Sequence, residues 1–133
     1  MKLYLASFME PANFGKGEVI SITHGSKPKG IDVRSIYTPL TPPSSLIEKY
    51  NKMRDNEDPE KAGGMFRDSY TEQLRNFVKD VISTANAEGK TIQELLPFKD
   101  GDTLCSWERA AYTNYRKMLA PFLVELGYEV VLH

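Results

Sequence analysis

Arg109 and Arg116 stand seven residues apart in a stretch with helical spacing, which places both guanidinium groups on one side of a helix. Two such groups can fork onto a phosphate or a carboxylate. An ordinary solvated face, with Glu108 and Lys117 beside them, is the alternative. Glu108 lies where a strand-like run gives way to this helix. A desolvated carboxylate there could work as a general acid or base, and a plain first-turn carboxylate would simply favour the helix dipole. The run His24-Gly25-Ser26-Lys27-Pro28-Lys29-Gly30 combines glycines, a serine and two lysines, a composition that can cradle phosphate through backbone N–H groups and lysine charge. Gly25 and Gly30 have the glycine spacing of a P-loop, but Ile31 follows where that motif needs lysine, so the segment is not one. A solvated turn would use the same residues. Trp107 can stack on a base or pack between strand and helix. Cys105, between apolar neighbours in a strand, reads as a small buried hydrophobe rather than a nucleophile. His24 has no carboxylate or cysteine close in sequence to orient it.

Several chemistries are excluded or disfavoured by composition. One cysteine rules out an intramolecular disulfide and a cysteine-rich zinc site. The two histidines, His24 and His133, sit at opposite ends of the chain, which argues against a conventional two-histidine metal site. A net charge of −1 gives no domain-wide attraction to extended nucleic acid or to an anionic membrane, while leaving room for a local basic pocket. The apolar run at the amino end stops after about five residues, too short for a signal peptide core, with Glu10-Pro11 following, and no stretch approaches the ~18 apolar residues of a membrane span. A cytoplasmic location is the expectation.

The positioning elements follow from periodicity. Lys2 to Phe8 alternates Leu3 and Leu5 against Tyr4 and Ala6, a short strand. Val19 to Thr23 is β-branched and reads as a second strand, and Ile31 to Tyr37 as a third, edge-type one. Thr41-Pro42-Pro43-Ser44-Ser45 opens a helix through Leu46, Ile47, Tyr50 and Met53, with Ser44 or Ser45 as its cap. Arg54 to Gly64 is charged, lacks large apolar residues and ends in Gly63-Gly64, so residues 54–64 read as a mobile loop. From Met65 an amphipathic helix carries Phe66, Tyr70, Leu74, Phe77, Val78, Val81 and Ile82 on its apolar side and stops at Gly89. Thr91 to Glu94 has capping-box form. Strand 102–107, helix 109–126 and strand 128–132 then make a βαβ unit. In that helix Ala111, Tyr115, Met118, Phe122 and Leu126 share one face, Arg109, Thr113 and Arg116 share the other, and Pro121 falls inside. At 133 residues, with 41% hydrophobic and 26% charged residues, the chain is one globular domain, residues 1–133. The expected fold is single-domain α/β, with a mostly parallel sheet of about four to five strands flanked by helices.

Ligands of open α/β sheets bind beyond the carboxyl ends of the strands. That rule gathers Ser7, Ser21, His24, Lys27, Trp107, Arg109, Tyr112 and Arg116 as candidate ligand-binding residues, Ser106 beside them, and Glu108 as the candidate catalytic carboxylate.

Short motifs in order also suggest a family. Met1 to Phe8, then Ile20-Ser21-Ile22 with Gly25 and Pro28, the Leu40/Pro42-Pro43/Leu46/Tyr50 stretch, and Leu104 to Glu108 followed by Asn114 to Ala120 together resemble the domain-of-unknown-function 488 proteins. The resemblance covers most of the chain apart from residues 54–64 and 83–101. Where that family carries Cys-His-Arg this chain reads Asn114-Tyr115-Arg116, and Cys105 is displaced by one position. Glu108 and Arg116 are the residues that carry over, and the resemblance implies the fold rather than an activity.

Three functional expectations remain. The first is binding of a small anionic, nucleotide-like ligand at the sheet edge by a sensor or sequestering protein, which requires no metal or cofactor. The second is an enzyme acting on a nucleotide or glycosidic bond, with Glu108 as acid/base. The third is a protein-interaction module, a homo-oligomer built through an edge strand or the Pro121-bearing helix.

Overall fold

The computed structural model describes residues 1–25, 28–107 and 115–133. Five strands form one all-parallel sheet: β1 (Lys2–Ser7), β2 (Val19–Ser21), β3 (Val33–Ile36), β4 (Thr103–Ser106) and β5 (Glu129–Leu132), in the order β3-β2-β4-β1-β5. Among the described residues four α-helices accompany them: α1 (Ser44–Asn56), α2 (Pro59–Glu88), the single turn α3 (Ile92–Leu95) and α4 (Tyr115–Glu125). The α/β class and the parallel sheet expected from the sequence are what the chain adopts. Among the described residues no helix is long and apolar enough to cross a membrane.

The two faces of the sheet are covered differently. Leu3, Leu5, Ile20, Ile22 and Leu104 project to one face and join Tyr50 of α1, Phe66, Tyr70, Leu74 and Val78 of α2, and Leu119 and Leu123 of α4 in the main core. The opposite face holds a smaller cluster of Phe8, Val33 and Cys105, with Phe14, Val19, Ile31 and Trp107 packed against it. The segment after β1 is pressed onto that second face. A side chain at Gly15 would collide with the Gly101 carbonyl and the Tyr4 ring, so only glycine fits there. Its N–H donates to Thr103 Oγ1 at 2.8 Å.

Asp102, 1% exposed, locks the start of β4 in place. Its carboxylate accepts from the N–H groups of Glu18 (2.9 Å) and Lys99 (2.8 Å), with Arg34 Nη1 3.9 Å away. Arg34 itself pairs with Glu18 at 2.8 Å and donates to the Pro97 carbonyl at 2.9 Å, tying β3 to the segments on either side of it.

The region read as a loop over residues 54–64 is helical. Residues 54–56 complete α1, and α2 begins at Pro59 behind an Asp58 cap whose carboxylate accepts the Glu60 N–H at 2.9 Å. The charged run misleads because its polar residues face water, while Ala62 and Gly63 are buried in a helix too small-sided there to show an apolar stripe. The glycine pair, which resembles a loop end, is interior helix; packing outweighs the ~1 kcal/mol propensity cost of each glycine. At the start of α1 the cap position is Pro43, not Ser44 or Ser45, and neither serine supplies a capping bond. Ile82, expected on the apolar side of α2, is 37% exposed, and Ala85 is buried in the stripe instead. The α3 capping box is formed as expected, with Thr91 and Glu94 each accepting the other's backbone N–H.

Candidate functional site

The carboxyl ends of β2, β4 and β1 lie side by side, and they sort the candidate residues onto two faces. Ser7 and Ser106 are register partners on adjacent strands. They continue the Leu3–Leu5 and Leu104 positions, so both hydroxyls stand on the helix-covered face. Ser21 is paired with Cys105 and shares the other face with Val19. Its hydroxyl is spent on its own turn, donating to the Thr23 carbonyl at 2.9 Å and accepting the Thr23 N–H at 3.2 Å. Trp107 also belongs to the second face, tilted against Phe8 with ring centroids 5.3 Å apart. The structure thus brings Ser7 together with Ser106 and Arg116, and sets Ser21 and Trp107 on the reverse side of the sheet. His24 is exposed just past β2. Lys27, Glu108, Arg109 and Tyr112 lie outside the described residues, as does the part of the expected 109–126 helix before Tyr115.

Arg116 is the unexpected element. The helical pattern put it on a face opposite Tyr115, Met118 and Phe122; instead Tyr115, Arg116, Leu119 and Leu123 form the buried side of α4, and Arg116 is only 3% exposed. Met118 and Phe122 are half-buried. Residues 118–124 carry no polar side chain, so two stripes fit the sequence almost equally and the docking of α4 on the sheet chose between them. The solvated-face alternative therefore fails for Arg116. Its Nη1 donates to Ser106 Oγ at 3.1 Å. A guanidinium keeps its charge wherever it is placed, so this edge holds a buried positive charge.

Tyr115 anchors the same corner. Its hydroxyl donates to the Ile22 carbonyl at 3.0 Å, which ties α4 to the chain leaving β2. Burial raises its pKa, while hydrogen bonds with Thr23 and Ser106 and the nearby Arg116 charge pull the other way. Its ring meets Tyr70 edge-on at 5.3 Å, and Tyr70 in turn donates to the Leu40 carbonyl at 2.6 Å beyond the end of β3. Two tyrosines from the helical layer thus fix the exits of two strands. The signal for Tyr115 was present in the sequence as an apolar-face aromatic with a hydroxyl, but its polar role depends on Ile22 and Thr23, over ninety positions away. Ser7 Oγ accepts the Met9 N–H at 3.0 Å, which leaves its proton able to donate.

Cys105, although one residue from Ser106, is fully buried in the second cluster. Burial pushes its thiol up to about 12, with Arg116 opposing the shift, so it does not supply a thiolate near neutral pH. At the amino end of the sheet a cleft of about 400 Å³ is lined by Lys2, Lys16, Asp100 and Glu129 among others. Its two lysines are balanced by two carboxylates, and Asp100 already accepts the Lys2 N–H at 2.7 Å.

The carboxyl edge therefore offers hydroxyl donors around a desolvated cation, an arrangement suited to an anionic group and not to thiol chemistry. No family model matches the chain, and no curated protein or solved structure matches it.

Proposed function

We propose that the protein binds a small anionic, nucleotide-like ligand at the carboxyl edge of its sheet, as a sensor or sequestering protein. The observation that carries this reading is the Arg116 guanidinium, buried at the strand ends on the same face as the Ser7 and Ser106 hydroxyls. The ends of parallel strands are where open α/β sheets receive their ligands, and a guanidinium beside hydroxyl groups there suits a phosphoryl oxygen. The phosphoryl group lies against Arg116 and the serine pair; the exposed segment at Thr23 and His24 flanks the rest of the ligand.

The test is a thermal-shift screen against mono-, di- and cyclic nucleotides, with and without Mg²⁺, using the wild type, Arg116→Ala and the exposed-site control Lys79→Ala. A ligand present at 100 times its dissociation constant adds about 2.7 kcal/mol, a rise of several degrees for a domain of this size. The expected result is a shift shared by wild type and Lys79→Ala and absent from Arg116→Ala. Indifference to every nucleotide refutes the reading. Turnover of a bound nucleotide that Glu108→Gln abolishes while binding persists would convert the binding protein into an enzyme.

A further inference from the structure

The two edges of the sheet are finished in different ways. Along β3, the pairing with β2 is interrupted by a register shift between Val19 and Ile20, and Arg34 is held across that edge by Glu18 and Pro97. A bulge and a charged side chain are standard means of stopping an edge from pairing. On the opposite side, β5 runs in unbroken register with β1 over four residue pairs. It contains Glu129-Val130-Val131-Leu132, with no lysine and no proline. Leu132 is 41% exposed, and so is Val124 at 57%, near the end of α4 just before the chain turns at Gly127 into β5.

The backbone of β5 fixes what such an edge can accept. The Glu129 N–H donates to the Met1 carbonyl at 3.0 Å and the His133 N–H to the Leu5 carbonyl at 2.9 Å. By the two-residue alternation of a strand, positions 129, 131 and 133 turn their polar groups toward β1, and Val130 and Leu132 turn theirs to the open side. An antiparallel copy of the same segment, with Val131 on a two-fold axis, satisfies all of them. Val130 and Leu132 of one chain then form hydrogen-bonded pairs with Leu132 and Val130 of the other, four N–H···O=C bonds in total. The same register sets Glu129 opposite His133 of the second copy, a carboxylate against an imidazole donor, on the face that Val131 shares. Residues 129, 131 and 133 have matching parity, so pleat, hydrogen bonding and polar pairing all agree on one register.

We infer that β5 is an interface for a second copy of this chain, which pairs antiparallel through β5 and joins two five-stranded sheets into one ten-stranded sheet. The partner is this chain itself because the segment is complementary to its own reverse, the requirement of a two-fold contact. This inference is independent of the ligand reading, since β5 lies beyond β1 and contributes none of the candidate site residues.

Sedimentation velocity of the full chain across the micromolar range tests it, with Val131→Lys and Val131→Glu as variants. Val131 is half-buried, and a long side chain there can carry its charge to solvent. On the axis, each variant sets two like charges against one another. The expected result is a wild-type dimer, a monomer for each variant alone, and a dimer again on mixing the two. Recombination requires direct apposition of the two positions and cannot come from misfolding. A wild type that stays monomeric, a Val131→Lys that stays dimeric, or variants that fail to recombine would each overturn the inference.

Discussion

Cys105 and Arg116 show how far a residue's chemistry depends on which layer receives it. Both lie at the carboxyl end of β4, yet one side chain is turned into the small cluster with Phe8 and Val33 and the other toward the Ser106 hydroxyl. For Cys105 the consequence is a pH dependence with a definite sign. Its pKa rises from 9.0 unfolded to about 12 in the native state. The unfolded chain therefore loses this proton first, and the thiol's contribution to stability is complete below about pH 9 and is lost as pH climbs toward 12. The melting temperature should hold up to that point and fall beyond it, and Cys105→Ala should fall less steeply. Tyr128, raised by burial from 10.0 to about 12, adds a decline of the same sign that Cys105→Ala leaves in place. A decline equally steep in both proteins would show that the thiol does not take part. The thiol's inertness was legible in the sequence from its apolar neighbours. The burial of Arg116 was not, because a single arginine in a largely apolar helix carries no mark of the direction it faces.

Among the elements, α2 does most to hold the helical layer together. Its buried positions run from Ala62 to Ala85, contacting α1 on one side and α4 on the other. Phe66 and Tyr70 both meet the Tyr115 ring, so the long helix sets the position from which α4 presents Arg116. Its first turn rests on the Asp58 cap, with Pro59 preset for the first helical position and Glu60 favourable to the dipole. Asp58→Ala should cost about 1 kcal/mol of stability, measured by urea denaturation, and it should loosen the junction of α1 and α2 without touching the strand ends. No loss of stability would mean that this turn is held by packing alone. From Met65 onward α2 was plain in the sequence, because its stripe recurs every three or four residues with large side chains. Its first turns were hidden by small buried residues and a glycine pair, which carry no hydrophobic amplitude.

At the scale of the whole molecule, the order β3-β2-β4-β1-β5 puts the second-to-last strand between the first two. The chain completes its outer strand pair early and inserts β4 only after the long helical excursion. Tyr4 to Ser7 pair with β4 and Lys2 to Leu5 pair with β5, so the centre of the sheet joins segments about a hundred residues apart. Amide hydrogen exchange should reflect this. The N–H groups of β1 and β4, bonded between neighbours and covered on the helical face, should exchange last, and those of β3 first. Protection of β5 should rise with protein concentration if a second copy covers its edge. Uniform protection across the five strands would count against a graded sheet.

Local pattern determined a good deal of this protein. Alternation identified β1, β-branched residues marked β2 and β3, glycine and capping-box signals ended α2 and began α3, and the mixture of strands and long helices specified a parallel α/β sheet. Each of these depends on interactions among residues close in the chain, and so leaves a trace in a short window of sequence. The strand order, the uneven covering of the two faces and the division of the candidate residues between them were decided only by tertiary structure. Ser7, Ser106 and Arg116 meet because β4 is inserted beside β1 and α4 docks with one of two nearly equivalent faces inward. Ser21 and Trp107 are parted from them by the two-residue pleat. A register shift of one residue would exchange those sets, and register is settled by packing across the whole sheet.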